Sequence, residues 1–430
     1  MAKILALKAR EILDSRGLPT LEVELQLTDG ACGRASVPSG KSTGSKEAVE
    51  WRDGDKTRFR GRGVLGAVQH VQGTIARAVQ GCDFDSQEAF DRYLTNLDGT
   101  MDKHRLGANA ILGCSMAFAR AAAVSKKCSL VQSIASIYET EKLVFPVPMM
   151  NVINGGKHAD SGVSTQEFML IPHGADTISD AIRMGAETYQ ALRLLLESKG
   201  FRVAIGDEGG FAPQLKTTEG ALELLVAAIE QAGYIPGAQI SLGLDFAAND
   251  FYQDGHYLFE GHTWTSDEMT AYCLQLAQQF PIVSIEDGLS EYDWQGWETH
   301  TKALNENGIQ CVGDDIFVTH ANIFQRGIDQ GIANAILIKL NQVGTVTETL
   351  ETMRLARAHQ YKTVVSHRSG ETDDAFIADF ALATAAGQMK AGAPARGERV
   401  AKYNQLLRLQ ETFPDAPLAA GVYQKASKKQ

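Results

Sequence analysis

The sequence contains no CxxC pair and no cysteine–histidine cluster at zinc spacing. Its six cysteines (Cys32, Cys82, Cys114, Cys128, Cys273 and Cys311) are scattered singly along 430 residues. That pattern excludes a zinc-finger or disulfide framework and reads as reduced core thiols in a cytoplasmic protein. An uninterrupted apolar run of the roughly 18 residues that a membrane-spanning helix needs is also missing, so no membrane insertion is expected. No secretory leader is legible, because MAKILALKAREILDSRG turns charged too soon. Clustered Lys and Arg are scarce too: 41 basic against 52 acidic residues give a formal charge of −11, the wrong sign for a nucleic-acid or membrane-surface binder. What is present, 44% hydrophobic and 22% charged residues, is ordinary for a soluble globular chain long enough for two domains, one of them a barrel.

Residues 3–38 alternate apolar and polar positions around turn signals at Gly17–Pro19 and Asp29–Gly30, the mark of strands. Helical stretches are predicted near 64–80 and 106–125, the second rich in Ala. Strands first and helices after predict a small α+β domain over 1–138, closed by the proline-interrupted stretch YETEKLVFPVPMMN. Over 139–430 the pattern becomes an alternation of short apolar strands and amphipathic helices, among them 179–198 and 219–231. Thr265–Glu268 and Thr345–Glu348 read as capping boxes that open helices. Such alternation predicts parallel strands with crossover helices.

The strand ends carry the chemistry. VAIGDEGG ends on Glu208, ISLGLDFA on Asp245, PIVSIEDG on Glu286 and QCVGDDIF on Asp314; AILIKLNQ carries Lys339 and TVVSHRSG carries His367. The gaps between these residues are 37, 41, 28, 25 and 28, each about one β/α unit. An ionisable group at the end of strand after strand predicts an α/β barrel, whose active site lies at the carboxyl ends of its strands. A doubly wound sheet would gather such groups at one switch point.

Two motifs mislead. ASVPSGKS resembles a P-loop, but Ala35 stands where the motif needs glycine and Pro38 removes a backbone donor. GRGVLG, residues 61–66, fits GxGxxG but follows a charged stretch rather than a strand, and reads as a loop leading into a helix near Val64.

Asp245, Glu286 and Asp314 would converge at the barrel mouth, where three carboxylates repel unless protonated or holding a hard cation; all-oxygen ligation points to Mg²⁺. The rival is three exposed loop carboxylates. Lys339, inside an apolar run, is either a lysine left neutral by nearby cations and able to remove a proton, or one half of a structural ion pair. Arg368, Ser369 and His367 form a candidate anion grip, with Lys390 adding charge. Together these suit proton abstraction beside a carboxylate, with Glu208 as the acid that helps a leaving group depart.

Residue by residue the chain resembles the enolases, the phosphopyruvate hydratases of glycolysis, nearly end to end. The shared stretches run in order: VINGG.HA, QEFM, GDEGGFAP, SIEDG, GDD, IKLNQ.GT, SHRSGETDD and GAPARGERVAKYNQLLR, preceded by ILDSRG.PT, VPSG.STG, RDGDK and LGANAILG. The resemblance implies a small α+β domain followed by an eight-stranded α/β barrel with irregular first turns. It implies Mg²⁺ at Asp245, Glu286 and Asp314, and a second Mg²⁺ held with help from Ser42 when substrate is bound. Lys339 would take the C2 proton of 2-phosphoglycerate. Glu208 with Glu167 would promote loss of the C3 hydroxyl to give phosphoenolpyruvate. His158, Glu167, His367, Arg368, Ser369 and Lys390 would line the substrate site. A homodimer or a tetramer of dimers is implied, with Glu22 and Arg408 at positions that pair between subunits. Rival readings are a related enzyme acting on another carboxylate, or a paralogue kept as a binding or scaffold protein with a cell-surface or secreted pool. Two positions depart from the family pattern: Leu18 for the usual Asn, and Lys41 for the usual Ala beside Ser42. Lys41 is expected to point outward into solvent.

Overall fold

The computed structural model describes residues 2–41 and 43–423. The chain begins as an antiparallel meander of Ile4–Leu13, Pro19–Leu27 and Cys32–Ser36. The period-two pattern of the middle strand turns Leu21, Val23, Leu25 and Leu27 inward, each with no exposed surface. Asp14 Oδ1 accepts the N–H groups of Arg16 and Leu18 at 2.8 and 3.0 Å and so closes the first turn. The backbone of Leu18 does that work, so its side chain is free to depart from the family pattern.

The Ala-rich helix Ala108–Ser125 lies across this sheet. Its small residues permit close approach: a Cβ on Gly33 would stand 2.0 Å from the Ala117 carbonyl oxygen. By length and composition this helix could cross a membrane, but it is buried over most of its length inside the domain, and Arg120 in it pairs with Asp374. The predicted helix near 64–80 is present as Leu65–Gln69, His70–Ile75 and Ala76–Val79, with a π-type middle turn. GRGVLG is indeed the approach to that helix, where Asp53 accepts from the N–H groups of Leu65 and Gly66. Helices Gln87–Asp98 and Leu130–Tyr138, capped by Ser86 and Ser129, were not legible in the sequence reading.

Eight strands then close into a barrel, in chain order Val147–Asn154, Glu167–Ile171, Ser241–Asp245, Ile282–Glu286, Gln310–Gly313, Ala335–Ile338, Lys362–Ser366 and Gly387–Lys390. The expectation of parallel strands throughout needs one correction. Glu167–Ile171 runs antiparallel to both neighbours. The connection from Asn154 to Glu167 contains a single turn, Gly156–His158, and no crossover helix, so the chain turns straight back. Two helices, Ile178–Ser198 and Thr218–Gln231, then return it to the same end before Ser241. A second correction concerns VAIGDEGG, which is not a strand: Ile205 makes only an isolated bridge to Phe211, and Glu208 sits in a turn. Gly206, Gly209 and Gly210, which weaken a strand, account for the departure. A third concerns Thr345. Its hydroxyl caps the helix Val346–Ala358, but Glu348 bonds Thr345 Oγ1 and Lys103 rather than reaching the backbone, whereas Thr265–Glu268 is a full capping box.

Candidate active site

Register brings the charged residues to one rim. Glu167 pairs with Asp245, Asp245 with Glu286, and Ser366 with Lys390 across adjacent strands. Because its strand is reversed, Glu167 reaches this rim from the start of a strand, whereas Asp245, Glu286 and Lys390 reach it from the ends of theirs. Asp314, Lys339 and His367 each follow one residue after a strand. One pocket is lined by His158, Glu167, Glu208, Asp245, Asp314, Lys339, His367, Arg368, Ser369 and Lys390. Glu286 lies just behind Lys390. Ser42, the remaining predicted residue, lies outside the described residues.

The pocket is closed on its own ion pairs, with a free volume of about 30 Å³, room for roughly one water. Lys390 Nζ lies 2.8 Å from Glu167, 3.2 Å from Asp245 and 2.9 Å from Glu286. Burial opposes the ammonium, but these three carboxylates outweigh it and raise its pKa well above the ordinary lysine value. Lys339 is bonded to Asp314. Burial lowers its pKa and Asp314 raises it, and the net direction is upward, so beside Asp314 Lys339 is held as the ammonium half of an ion pair. Arg368 presents Nη1 and Nη2 to the two oxygens of Glu47 at 2.9 and 3.0 Å, and Nη1 also donates to Asn341 at 2.8 Å. Gly40 permits this crowding: a Cβ there would stand 2.1 Å from Arg368 Nη2.

Glu167 and Glu208 are both fully buried and face His158 from two sides, its Nδ1 lying 3.7 Å from Glu167 and its Nε2 3.7 Å from Glu208. Burial raises Glu167, and the charge of Glu208 drives it well above the usual carboxylate range. For Glu208 burial acts the same way, but His158, His367 and Arg399 outweigh it and hold it well below. These directions favour the proton on Glu167 and leave Glu208 as the carboxylate, the reverse of the expectation that made Glu208 the acid.

Two sets of donor atoms lie within 4.8 Å of one another among the described residues: His158, Glu167 and Glu208, and Asp287, Asp314 and Asp315. Asp314 thus groups with Asp287 and Asp315, while Asp245 and Glu286 are bridged by Lys390. Buried acids held by the Lys339 ammonium at Asp314 and the Lys390 ammonium across Asp245–Glu286 are an all-oxygen donor set that fits a hard divalent cation. Asp287 was missed by the sequence reading. It adopts a positive φ of 41°, and its two oxygens accept the N–H groups of Asp314 and Asp315 at 2.9 and 3.0 Å. Its only sequence signal was the acidic doublet in SIEDG. Glu47 and Arg399 were missed as well, because their partners lie hundreds or tens of residues away.

Lys41 corrects another expectation. It does not point into solvent but bonds Asp207 Oδ2 at 2.7 Å, beside Glu208. Ser39 forms an isolated bridge with Gly370, and Ser45 bonds Glu291, so the loop that carries Lys41 is fastened to the barrel rim on either side.

Comparison with known families matches residues 4–134 to the profile described as Enolase, N-terminal domain, and residues 142–428 to Enolase, C-terminal TIM barrel domain. With that match over both units, and with the pocket carboxylates and lysines gathered at the barrel rim, the chain belongs to the enolase family.

Proposed function

We propose that the chain is a cytoplasmic, glycolytic enolase, a hydro-lyase that reversibly dehydrates 2-phospho-D-glycerate to phosphoenolpyruvate with Mg²⁺. One observation carries this reading: a single buried pocket holds Lys339 on one side and the Glu167–Glu208 pair on the other. Glu167 belongs to the second strand of the closed ring, and Lys339 follows the sixth, so three strands lie between them in either direction. A base and an acid facing each other across a barrel act on opposite faces of whatever lies between.

Lys339 removes the proton from C2. For that it must first lose the proton it holds against Asp314, and the nearby Arg368 and Lys390 cations favour the loss. As the C2–H bond breaks, its electrons form the C2–C3 double bond. The C3–O bond breaks, and the hydroxyl leaves as water with the proton from Glu167, while Glu208 and His158 hold the departing group. Arg368 and Ser369 hold the phosphate, the guanidinium exchanging its Glu47 partner for phosphate oxygens. When bound at Asp245, Glu286 and Asp314, with Ser42 for a second ion, Mg²⁺ supplies positive charge against the negative charge that grows on the substrate carboxylate.

The test is phosphoenolpyruvate formation followed by ultraviolet absorbance. The expected result is turnover that needs Mg²⁺, stops with EDTA, returns with added Mg²⁺, and falls by about 10²-fold or more in Lys339→Ala. A folded, Mg²⁺-loaded protein without turnover would end the assignment and turn attention to another carboxylate substrate. The same reading includes a homodimer or a tetramer of dimers.

A further inference from the structure

Arg399, on the helix Gly397–Thr412, has no exposed side chain and no part in the chemistry above. Its guanidinium is ringed by acceptors. Nη1 donates to His367 Nδ1 at 2.5 Å and to the Arg368 carbonyl oxygen at 2.6 Å. Nη2 donates to the carbonyl oxygens of Ser369 and Asp207 at 2.6 and 3.2 Å. A guanidinium has only donors and stays protonated in proteins, so every group against it must accept. His367 Nδ1 is therefore a bare lone pair, and the proton of the neutral ring sits on Nε2. Flipping the ring would set a C–H against the guanidinium, which chemistry forbids. Nε2 in turn lies 3.4 Å from Glu208 Oε2, a carboxylate that also accepts from Asn151 Nδ2 at 3.0 Å.

We propose that Arg399 is a positioning residue that locks His367 as the Nε2–H tautomer and aims that hydrogen at Glu208. Glu208 is thereby kept as the accepting carboxylate, and the transferable proton of the Glu167–Glu208 pair stays on Glu167. The catalytic consequence rests on the dehydratase reading; the tautomer does not. The same guanidinium ties the Glu208 turn, through the Asp207 carbonyl, to the Arg368–Ser369 loop.

The charged groups facing His367 are Glu208, Arg399 and Glu371. Burial and then Arg399 lower the ring to about 4 against the pull of Glu208, so it is neutral at pH 7. Without the guanidinium Nδ1 is no longer obliged to accept, and the ring, still buried, loses one of the two influences that lower its pKa.

The experiment labels the histidines of the full chain with ¹⁵N and follows His367, identified by loss of its signal in His367→Gln, from pH 5 to 9. Wild type and Arg399→Lys, which keeps a donor-only cation, should show a neutral Nε2–H ring. Arg399→Met should open the Nδ1–H tautomer and raise the pKa of the ring, and the acid limb of its kcat/KM profile should move up by about one pH unit or more. A folded Arg399→Met protein whose ring stays wholly Nε2–H, with an unmoved pKa and acid limb, would reduce Arg399 to a structural brace and overturn the proposal. A wild-type ring that carries Nδ1–H, or is charged at pH 7, would overturn it without any variant, so a failure of Arg399→Met to fold leaves the question decidable. If wild type makes no phosphoenolpyruvate, the dehydratase reading fails while the spectra still judge the tautomer.

Discussion

At the residue scale, buried titratable groups away from the pocket set how stability follows pH. His300 has no exposed surface, shares a hydrogen bond with Thr270 Oγ1 at 2.9 Å through Nδ1, and leaves Nε2 without a partner. Burial lowers its pKa from 6.5 to about 4. The sign follows directly: between those values the unfolded chain binds the proton and the native chain does not. Stability is therefore full above pH 6.5 and lost as pH falls toward 4, by about 3 kcal/mol for this one ring. Asp91 and Asp379, both raised to about 6 by burial, act with the opposite sign over much of the same range. The difference between wild type and His300→Gln isolates the histidine. Urea melts at pH 7.5 and pH 5 should show wild type losing more stability than the variant on acidification; equal losses would refute the assignment.

At the scale of elements, the loop around Lys41 is the instructive case. Lys41 and Asp207 keep 39% and 29% of their side chains exposed, so their ion pair is screened and worth no more than about 1 kcal/mol. Its effect is local. Lys41→Ala should leave the melting temperature almost unchanged but speed hydrogen exchange at Gly40 and Lys41's neighbours in low salt, with the difference vanishing at about 0.5 M salt as the Debye length shrinks. Identical exchange in low salt would mean that the Ser39–Gly370 bridge alone holds the loop. Short connections were misread at the same scale. The segment before Glu167–Ile171 carries no helical pattern to serve as a crossover, the one local sign of its reversal, and the Glu208 turn borrowed the look of a strand from Val203, Ala204 and Ile205.

At the scale of the whole molecule, the two units are fastened by long-range pairs: Arg120 with Asp374, Lys103 with Glu348, and Glu47 with Arg368. The last of these joins the N-terminal unit to the substrate pocket itself. The outer edge of the first strand exposes Leu5 and Leu13 at 46% and 59%, and Glu22 nearby is already held by Arg10 at 2.5 Å. Arg408 is exposed and, among the described residues, donates to Gln405 at 3.0 Å; the proposed dimer would pair it with Glu22 of a second copy. For a chain of 46.5 kDa, sedimentation equilibrium should give the mass of a dimer or of four dimers, with Arg408→Glu shifting the balance toward smaller species. A single-chain mass at all micromolar concentrations would exclude the dimer.

Local pattern determined a good deal by itself. Apolar alternation and period placed the meander, the Ala-rich helix and most barrel strands, and the run of ionisable groups at strand ends placed Asp245, Glu286, Asp314, Lys339 and His367 at one rim. Chemical type named the acids, the lysine and the arginine. What only the tertiary structure decided were relations between residues far apart in the chain. It paired Lys339 with Asp314, set Lys390 among three carboxylates, closed Glu47 on Arg368 and put Arg399 behind His367. It also divided the proton between Glu167 and Glu208. Protonation and partner choice depend on burial and on charges a few ångströms away, and neither distance nor desolvation is written in a residue's sequence neighbours.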